Sequence, residues 1–287
     1  MFLVIGGNSQ IGAATVSRLK AQGQRVAATT RRAGDLDADE LFLDLERLPD
    51  DWRPPQDVKA ACLYVAVARL ATCQADWAAS NHINVTQTLA LAEKLLTKGV
   101  YTLFLSTNQV FDGTRAHTEA DAPLSPVSAY GRQKAATEEV FKTWIAEGAP
   151  AGILRLAKVV SPDMALIHGW RRQLLNGGPI RAYRDMRMAP TPTALVAEAI
   201  SCMLAERAAV VAQLTGPHDV AYDEVASFVA ERVGASRDLV SSISAIDDGV
   251  AMGSTPLNTT LDSAYLATKY GLVAPEPWTV IQSLLYA

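Results

Sequence analysis

Tyr130 and Lys134 stand four residues apart in Tyr130-Gly131-Arg132-Gln133-Lys134. On a helix this spacing puts a phenol and an ammonium on one face, a turn apart. Such a pair suits proton transfer to a carbonyl oxygen. A free phenol titrates near 10, too high for easy acid–base work at neutral pH. An ammonium about 4 Å away contributes roughly 4 kcal/mol at an effective dielectric of about 20, a depression of at most about three pKa units. Alone, the spacing fits equally a surface helix carrying an amphipathic tyrosine. Upstream, an apolar run ends in Leu103-Phe104-Leu105-Ser106-Thr107. Ligands of open α/β sheets bind at the carboxyl ends of strands, which places Thr107 to donate to a substrate carbonyl and orient it for Tyr130.

A second constellation opens the chain. Gly6-Gly7-Asn8-Ser9-Gln10-Ile11-Gly12 follows a short apolar run and leads into a helical pattern. A dinucleotide-binding turn needs glycine for the tight bend, small residues where backbone nears a pyrophosphate, and glycine where helix meets strand. The helix N-terminus then offers free N–H groups to the phosphates. Gly6 and Gly12 hold the outer positions, and Ser9 stands where a middle glycine is usual. Gly6, Ser9, Gln10, Ile11 and Gly12 are the candidate contacts, joined by Val65 and Ala66 at the end of a later apolar run. The second strand pattern ends in Arg31-Arg32, where an NAD enzyme commonly has an acid. The planar fork of arginine suits a 2′-phosphate, so NADP(H) is preferred over NAD(H). Two solvated loop arginines are the competing reading. Asp44 closes the run Leu41–Leu45 and is a candidate acceptor for an adenine amino group, or an ordinary loop aspartate.

The elements that must position these residues read as alternating strands and helices. Strand-like runs are Phe2–Ile5, Arg25–Thr30, Ala61–Val67, Tyr101–Ser106 and Gly152–Leu156, with helical stretches at Gln10–Gln22, Asp76–Leu96 and Ser128–Glu147. The strands are apolar throughout, as when both sheet faces are covered. This order predicts an α/β fold: a Rossmann-type, doubly wound parallel sheet with a smaller C-terminal substrate-binding lobe. The expected division is residues 1–156 for the dinucleotide-binding domain and 157–287 mostly for the lobe, with elements returning to the sheet. Prolines 162, 179, 190, 192 and 217 break the rhythm there, and Thr193–Arg207 and Asp223–Val233 still read as helices.

With 287 residues, 49% of them hydrophobic, and a net charge of −4, the chain has material for a full core and no bias toward nucleic acid or a membrane surface. No apolar run reaches the roughly 20 residues of a membrane span, and the start lacks the features of a signal peptide. Cytoplasm is the expected location. Cys62, Cys73 and Cys202 show no metal-ligand spacing and read as small buried hydrophobes.

These motifs resemble the extended short-chain dehydrogenase/reductases, and within them the dTDP-4-dehydrorhamnose reductase branch of sugar-nucleotide-binding proteins. Gln10-Ile11-Gly12, Ser106-Thr107 with Val110-Phe111-Asp112-Gly113, and Tyr130 with Lys134 carry the likeness. Ile83-Asn84-Val85, Ile153-Leu154-Arg155, Ala189-Pro190-Thr191 and Thr260-Leu261-Asp262-Ser263 extend it over nearly the whole length. The resemblance implies a catalytic triad of Thr107, Tyr130 and Lys134, with NADPH delivering hydride to the keto group of a nucleotide-linked deoxysugar. Tyr130 protonates the new alkoxide, while Lys134 binds the nicotinamide ribose and depresses the phenol. Asn84 either helps position that assembly or is a satisfied helix-interior asparagine. A homodimer through Asp76–Leu96 and Ser128–Glu147 is also implied.

Asn108-Gln109 departs from the Asp-Tyr usual in this branch and leaves the substrate open. The related dehydratases carry Asp-Glu there, and this chain has neither carboxylate. A nucleotide-sugar epimerase with the same triad, and a non-catalytic NADP-binding regulatory subunit, remain alternatives. Arg171, Arg172, Arg181 and Arg187 are available for a diphosphate, and Trp170 or Tyr183 for stacking, though each also fits a surface or packing role.

Overall fold

Short apolar runs bounded by turn residues become strands, and the longer runs between them become covering helices. The computed structural model describes every residue except 33, 35, 65, 251–254 and 287. The first half runs β1 (Phe2–Ile5), α1 (Gln10–Ala21), β2 (Val26–Thr30), β3 (Glu40–Phe42), β4 (Ala60–Leu63), α2 (Leu70–Ala75), α3 (Trp77–Asn81), α4 (Thr88–Leu96), β5 (Tyr101–Thr107), α5 (Ala129–Ala146) and β6 (Ala151–Leu156). The second half adds β7 (Val159–Val160), α6 (Ala165–Leu175), β8 (Ile180–Tyr183), β9 (Arg187–Met188), β10 (Thr191–Pro192), α7 (Thr193–Glu206) and β11 (Val211–Leu214). It ends with β12 (Val220–Ala221), α8 (Tyr222–Arg232), β13 (Val240–Ile243), α9 (Ala264–Tyr270) and α10 (Pro277–Leu285).

Seven strands form one sheet in the order β11-β6-β5-β4-β1-β2-β3, every neighbouring pair parallel. This is the Rossmann-type doubly wound sheet. Strand order reverses between β1 and β4, and the crevice at that switch point is where such sheets bind ligands. Alternation along the strands feeds two cores. Val4, Cys62 and Leu103 pack with Leu19, Ile200 and Met203 of α1 and α7. Leu3, Ile5 and Phe104 face the opposite way, onto Leu91, Leu95 and Phe141 of α4 and α5. A third core joins α6, α8 and α10 through Ile167, Trp170, Val225, Val229 and Ile281. Residues 157–287 therefore hold a separate core as well as α7 and β11, which lie with the sheet.

Two expected elements differ. β3 stops at Phe42, because Asp44 caps a 3-10 turn at Leu45–Arg47 and its carboxylate accepts from the Glu46 N–H at 3.1 Å. The helix expected at Asp76–Leu96 is broken by a π-helical turn at His82–Gln87. That turn aims Asn84 inward to bond the backbone of Val67, and π-turns often occur where a helix serves a site. Cys62 and Cys73 are buried and Cys202 half-buried, all free thiols, and burial pushes Cys62 up to about 12. Among the described residues no helix is long and apolar enough to cross a membrane.

Candidate active site

The opening turn is built by its own backbone demands. Gly6 has φ +83°, a conformation that side chains strain to adopt, and a Cβ on Gly12 would lie 2.3 Å from the Gly6 carbonyl. Ser9, in place of a glycine, caps α1: its hydroxyl accepts from the Gly12 N–H at 3.1 Å and donates to the Gly6 carbonyl at 2.8 Å. Serine thus satisfies a helix-end donor and stays small beside the ligand path.

Beyond this turn lies a cavity of about 410 Å³, lined by Gly6, Ser9, Thr30, Arg31, Leu45 and Arg69 among others. A second, of about 380 Å³, collects Ser9, Gln10, Ile11, Thr107, Tyr130 and Lys134. Ser9, Tyr64, Ala66 and Ala68 line both, so the two form one trough along the carboxyl edge of β1, β4 and β5. Such a trough fits a dinucleotide, with the glycine turn and α1 N-terminus between its two ends.

The candidate residues fall as follows. Thr107, Tyr130 and Lys134 meet in the second cavity with Gln10 and Ile11, while Arg31 lines the first. Gly12 lies buried under the turn. Gln10 also reaches the C-terminal half, donating to Ser161 Oγ and to Asp163 Oδ1 at 3.5 Å. Among the described residues, Arg32 and Asp44 are outside both linings. The Arg32 backbone N–H donates to Thr30 Oγ1, and Asp44 is occupied as a cap. Val65 is outside the described residues. None of the arginines 171, 172, 181 and 187 lines the trough. Arg181 and Tyr183 bond Asp248, and Trp170 is core.

Helix α5 is docked onto β5 by a small set of contacts. Ser128 caps it, accepting from the Gly131 N–H at 3.0 Å and donating to Gln109 Oε1 at 3.1 Å. A Cβ on Gly131 would stand 2.1 Å from the Gln109 carbonyl, so glycine is what lets the helix start touch the turn after β5. Asn108-Gln109 therefore builds the joint between Thr107 and Tyr130. Thr107 Oγ1 accepts from the Gln109 N–H at 3.2 Å. Lys134 Nζ donates to the Leu105 carbonyl at 2.7 Å and lies 4.3 Å from the Phe104 ring centre and 5.9 Å from that of Tyr130.

Burial governs the protonation of this pair. It pulls Lys134 down to about 8, against the attraction of Glu138. It pushes the Tyr130 phenol above its ordinary range, with Cys73 acting in the same sense. The depression expected from the ammonium is not seen; desolvation sets the direction, and the phenol keeps its proton. Behind the pair, Asn84 accepts from the Val67 N–H at 2.7 Å and donates to the Val67 carbonyl at 3.0 Å and to Gln133 Oε1 at 2.7 Å. It ties the lining loop to the residue before Lys134.

Among the lining residues that the sequence reading did not single out, Arg69, Tyr64 and Ser106 bear on the chemistry. Arg69 adds a second cation to the first cavity. Tyr64 walls both cavities, its hydroxyl sharing a 2.6 Å hydrogen bond with Thr15. Ser106 lines the second cavity, and its place beside Thr107 at a strand end was the available signal.

The dTDP-4-dehydrorhamnose reductase of Burkholderia thailandensis is 35% identical over 134 residues, 46% of this chain and 42% of that protein. The dTDP-4-keto-6-deoxy-D-glucose reductase of Streptomyces niveus is 32% identical over 139 residues, 48% of this chain and 46% of that protein. The matched stretches span less than half the length of either relative. Two solved structures share the fold over nearly the whole chain. MoeE5 in complex with UDP-glucose and NAD has a TM-score of 0.82 at 24% identity, covering 99% of this chain and 96% of that one. The Bacillus anthracis dTDP-4-dehydrorhamnose reductase in complex with NADP has a TM-score of 0.79 at 16%, covering 99% and 97%. Residues 1–285 match the family described as RmlD substrate binding domain, and the chain belongs to that family.

Proposed function

We propose that this chain is an NADPH-dependent reductase of a nucleotide-linked keto-deoxysugar, similar to dTDP-4-dehydrorhamnose reductase. The observation that carries the reading is the gathering of Thr107, Tyr130 and Lys134 in one cavity that continues into the glycine-turn trough. The trough's residues fit a nicotinamide dinucleotide: Gly6, Ser9 and the α1 N-terminus for the pyrophosphate, and Arg31 for a 2′-phosphate.

A bound reduced nicotinamide supplies the hydride. Thr107 donates to the carbonyl oxygen and orients it. Tyr130, held protonated by burial, gives its proton to that oxygen as charge develops there. The Lys134 ammonium, anchored on the Leu105 carbonyl, stabilises the phenolate left behind. Beside Thr107, Gln109 is engaged with Ser128 and no carboxylate takes the next two positions, which argues against elimination of water. The homodimer belongs to the same proposal: α3 and α5 present Trp77 at 45% exposure with the Arg132 guanidinium 5.8 Å over its ring.

The test is NADPH consumption with a dTDP-linked 4-keto-6-deoxyhexose. The expected result is loss of one NADPH per sugar reduced. Tyr130→Phe should lower kcat by about 10²- to 10⁴-fold while NADPH still raises the melting temperature. Isomerised sugar with no net NADPH loss would make the chain an epimerase. NADPH binding without turnover across a panel of nucleotide sugars would make it a regulatory subunit.

A further inference from the structure

Among the described residues, Ser106 Oγ is the buried side-chain polar atom without a hydrogen-bond partner. Ser106 is 6% exposed, sits one residue from the end of β5 and lines the catalytic cavity with Tyr130 and Lys134. A buried hydroxyl left unpaired disfavours the fold relative to alanine, so its presence in a ligand cavity calls for a ligand-side account.

The surrounding groups narrow the chemistry. Thr107 Oγ1 is already an acceptor for the Gln109 N–H, so the two adjacent hydroxyls are not equivalent. Side chains alternate along a strand, which puts Ser106 on the same face as Phe104. Lys134 Nζ lies over that Phe104 ring and donates to the Leu105 carbonyl, one peptide unit from Ser106. An ammonium has three donors. The hydroxyl offers both a donor and lone pairs. A sugar diol suits this pair, one hydroxyl accepting from the ammonium and the other exchanging a hydrogen bond with the serine in either direction.

We propose that Ser106 is a further positioning residue for the dinucleotide, its hydroxyl bonding a hydroxyl of the nicotinamide-side ribose alongside Lys134. This rests on the dinucleotide reading above and assigns Ser106 and Thr107 separate duties, Ser106 toward cofactor and Thr107 toward substrate.

The experiment compares wild type, Ser106→Ala and Thr107→Ala, measuring the melting temperature without ligand and the NADPH dissociation constant without sugar. Ser106→Ala should melt at or above wild type, since it removes an unpaired buried hydroxyl. Its NADPH dissociation constant should rise about 3- to 10-fold, the size of one neutral hydrogen bond. Thr107→Ala should bind NADPH like wild type and lose turnover. Unchanged NADPH binding in Ser106→Ala, whether its melting point falls or only its sugar KM moves, overturns the proposal. A wild type that does not bind NADPH overturns the dinucleotide reading itself, and this proposal with it.

Discussion

Tyr130 and Lys134 share a helix face, yet burial moves their protonation in opposite directions. The phenol is held in its donor form. Lys134, brought down to about 8, is an ammonium at neutral pH and loses its charge only modestly above it. The proposed reduction needs both groups protonated: the phenol to give a proton, the ammonium to stabilise the phenolate that results. Lys134 carries its proton below its lowered value and sheds it as pH rises through about 8. The expected outcome is a kcat/KM for reduction that is level on the acid side and falls as pH rises past about 8, since kcat/KM reports groups of the free enzyme. Stopped-flow or steady-state rates against pH check this, with Lys134→Met as the variant in which that limb is gone. A wild-type profile that stays level well above 8 would remove Lys134 from the proton chemistry.

At the scale of elements, α5 is placed by its first turn. Gly131→Ala sets a methyl against the Gln109 carbonyl, where 2.1 Å is available, and neither backbone is free to yield cheaply. The helix start should shift from the turn after β5, separating Tyr130 from Thr107. Overpacking of this kind costs about 1–3 kcal/mol, and a displacement near 1 Å lowers kcat by on the order of 100-fold. Denaturant unfolding and kcat measure the two effects. Gly169→Ala is the internal contrast: it lies within α6 with nothing within 4 Å of the added Cβ, and should gain up to about 1 kcal/mol in helix propensity. This joint also separates what was legible in the sequence from what was not. Strand–helix order, the glycine turn and the Tyr130/Lys134 spacing are local patterns and could be read directly. The Gly131–Gln109 contact and the unpaired state of Ser106 depend on chain segments brought together by folding. Asp44 looked like the end of a strand because it closes the apolar run Leu41–Leu43, but its side chain caps the following turn by accepting from the Glu46 N–H. The proline-broken second half concealed α6, α9 and α10: α6 and α10 bury their apolar faces in the third core with α8, while α9 packs Leu266 against the sheet core beside α7 and β11.

For the whole molecule, the trough joins the switch-point edge of the sheet to the C-terminal half, with Gln10 bonded to Ser161 and Asp163 across it. A ligand lying there holds parts that separate on unfolding, and anything that binds only the folded state stabilises it by mass action, about 2.7 kcal/mol at one hundred times its dissociation constant. Arg31 lines the cavity beyond the glycine turn, where the proposed dinucleotide would place its adenosine, and Arg32 does not, so the two adjacent arginines should behave differently. NADPH should raise the melting temperature more than NADH at equal concentration, because a 2′-phosphate meets a guanidinium fork as a charge-assisted pair. Arg31→Ser should narrow that difference, with the NADH shift nearly unchanged, and Arg32→Ser should leave it in place. The effect belongs to exposed charges and should shrink with added salt. Equal shifts for the two dinucleotides in wild type would remove the NADP preference and leave the trough as a site for either. Loss of the difference in Arg32→Ser alone would move the 2′-phosphate contact to the neighbouring arginine.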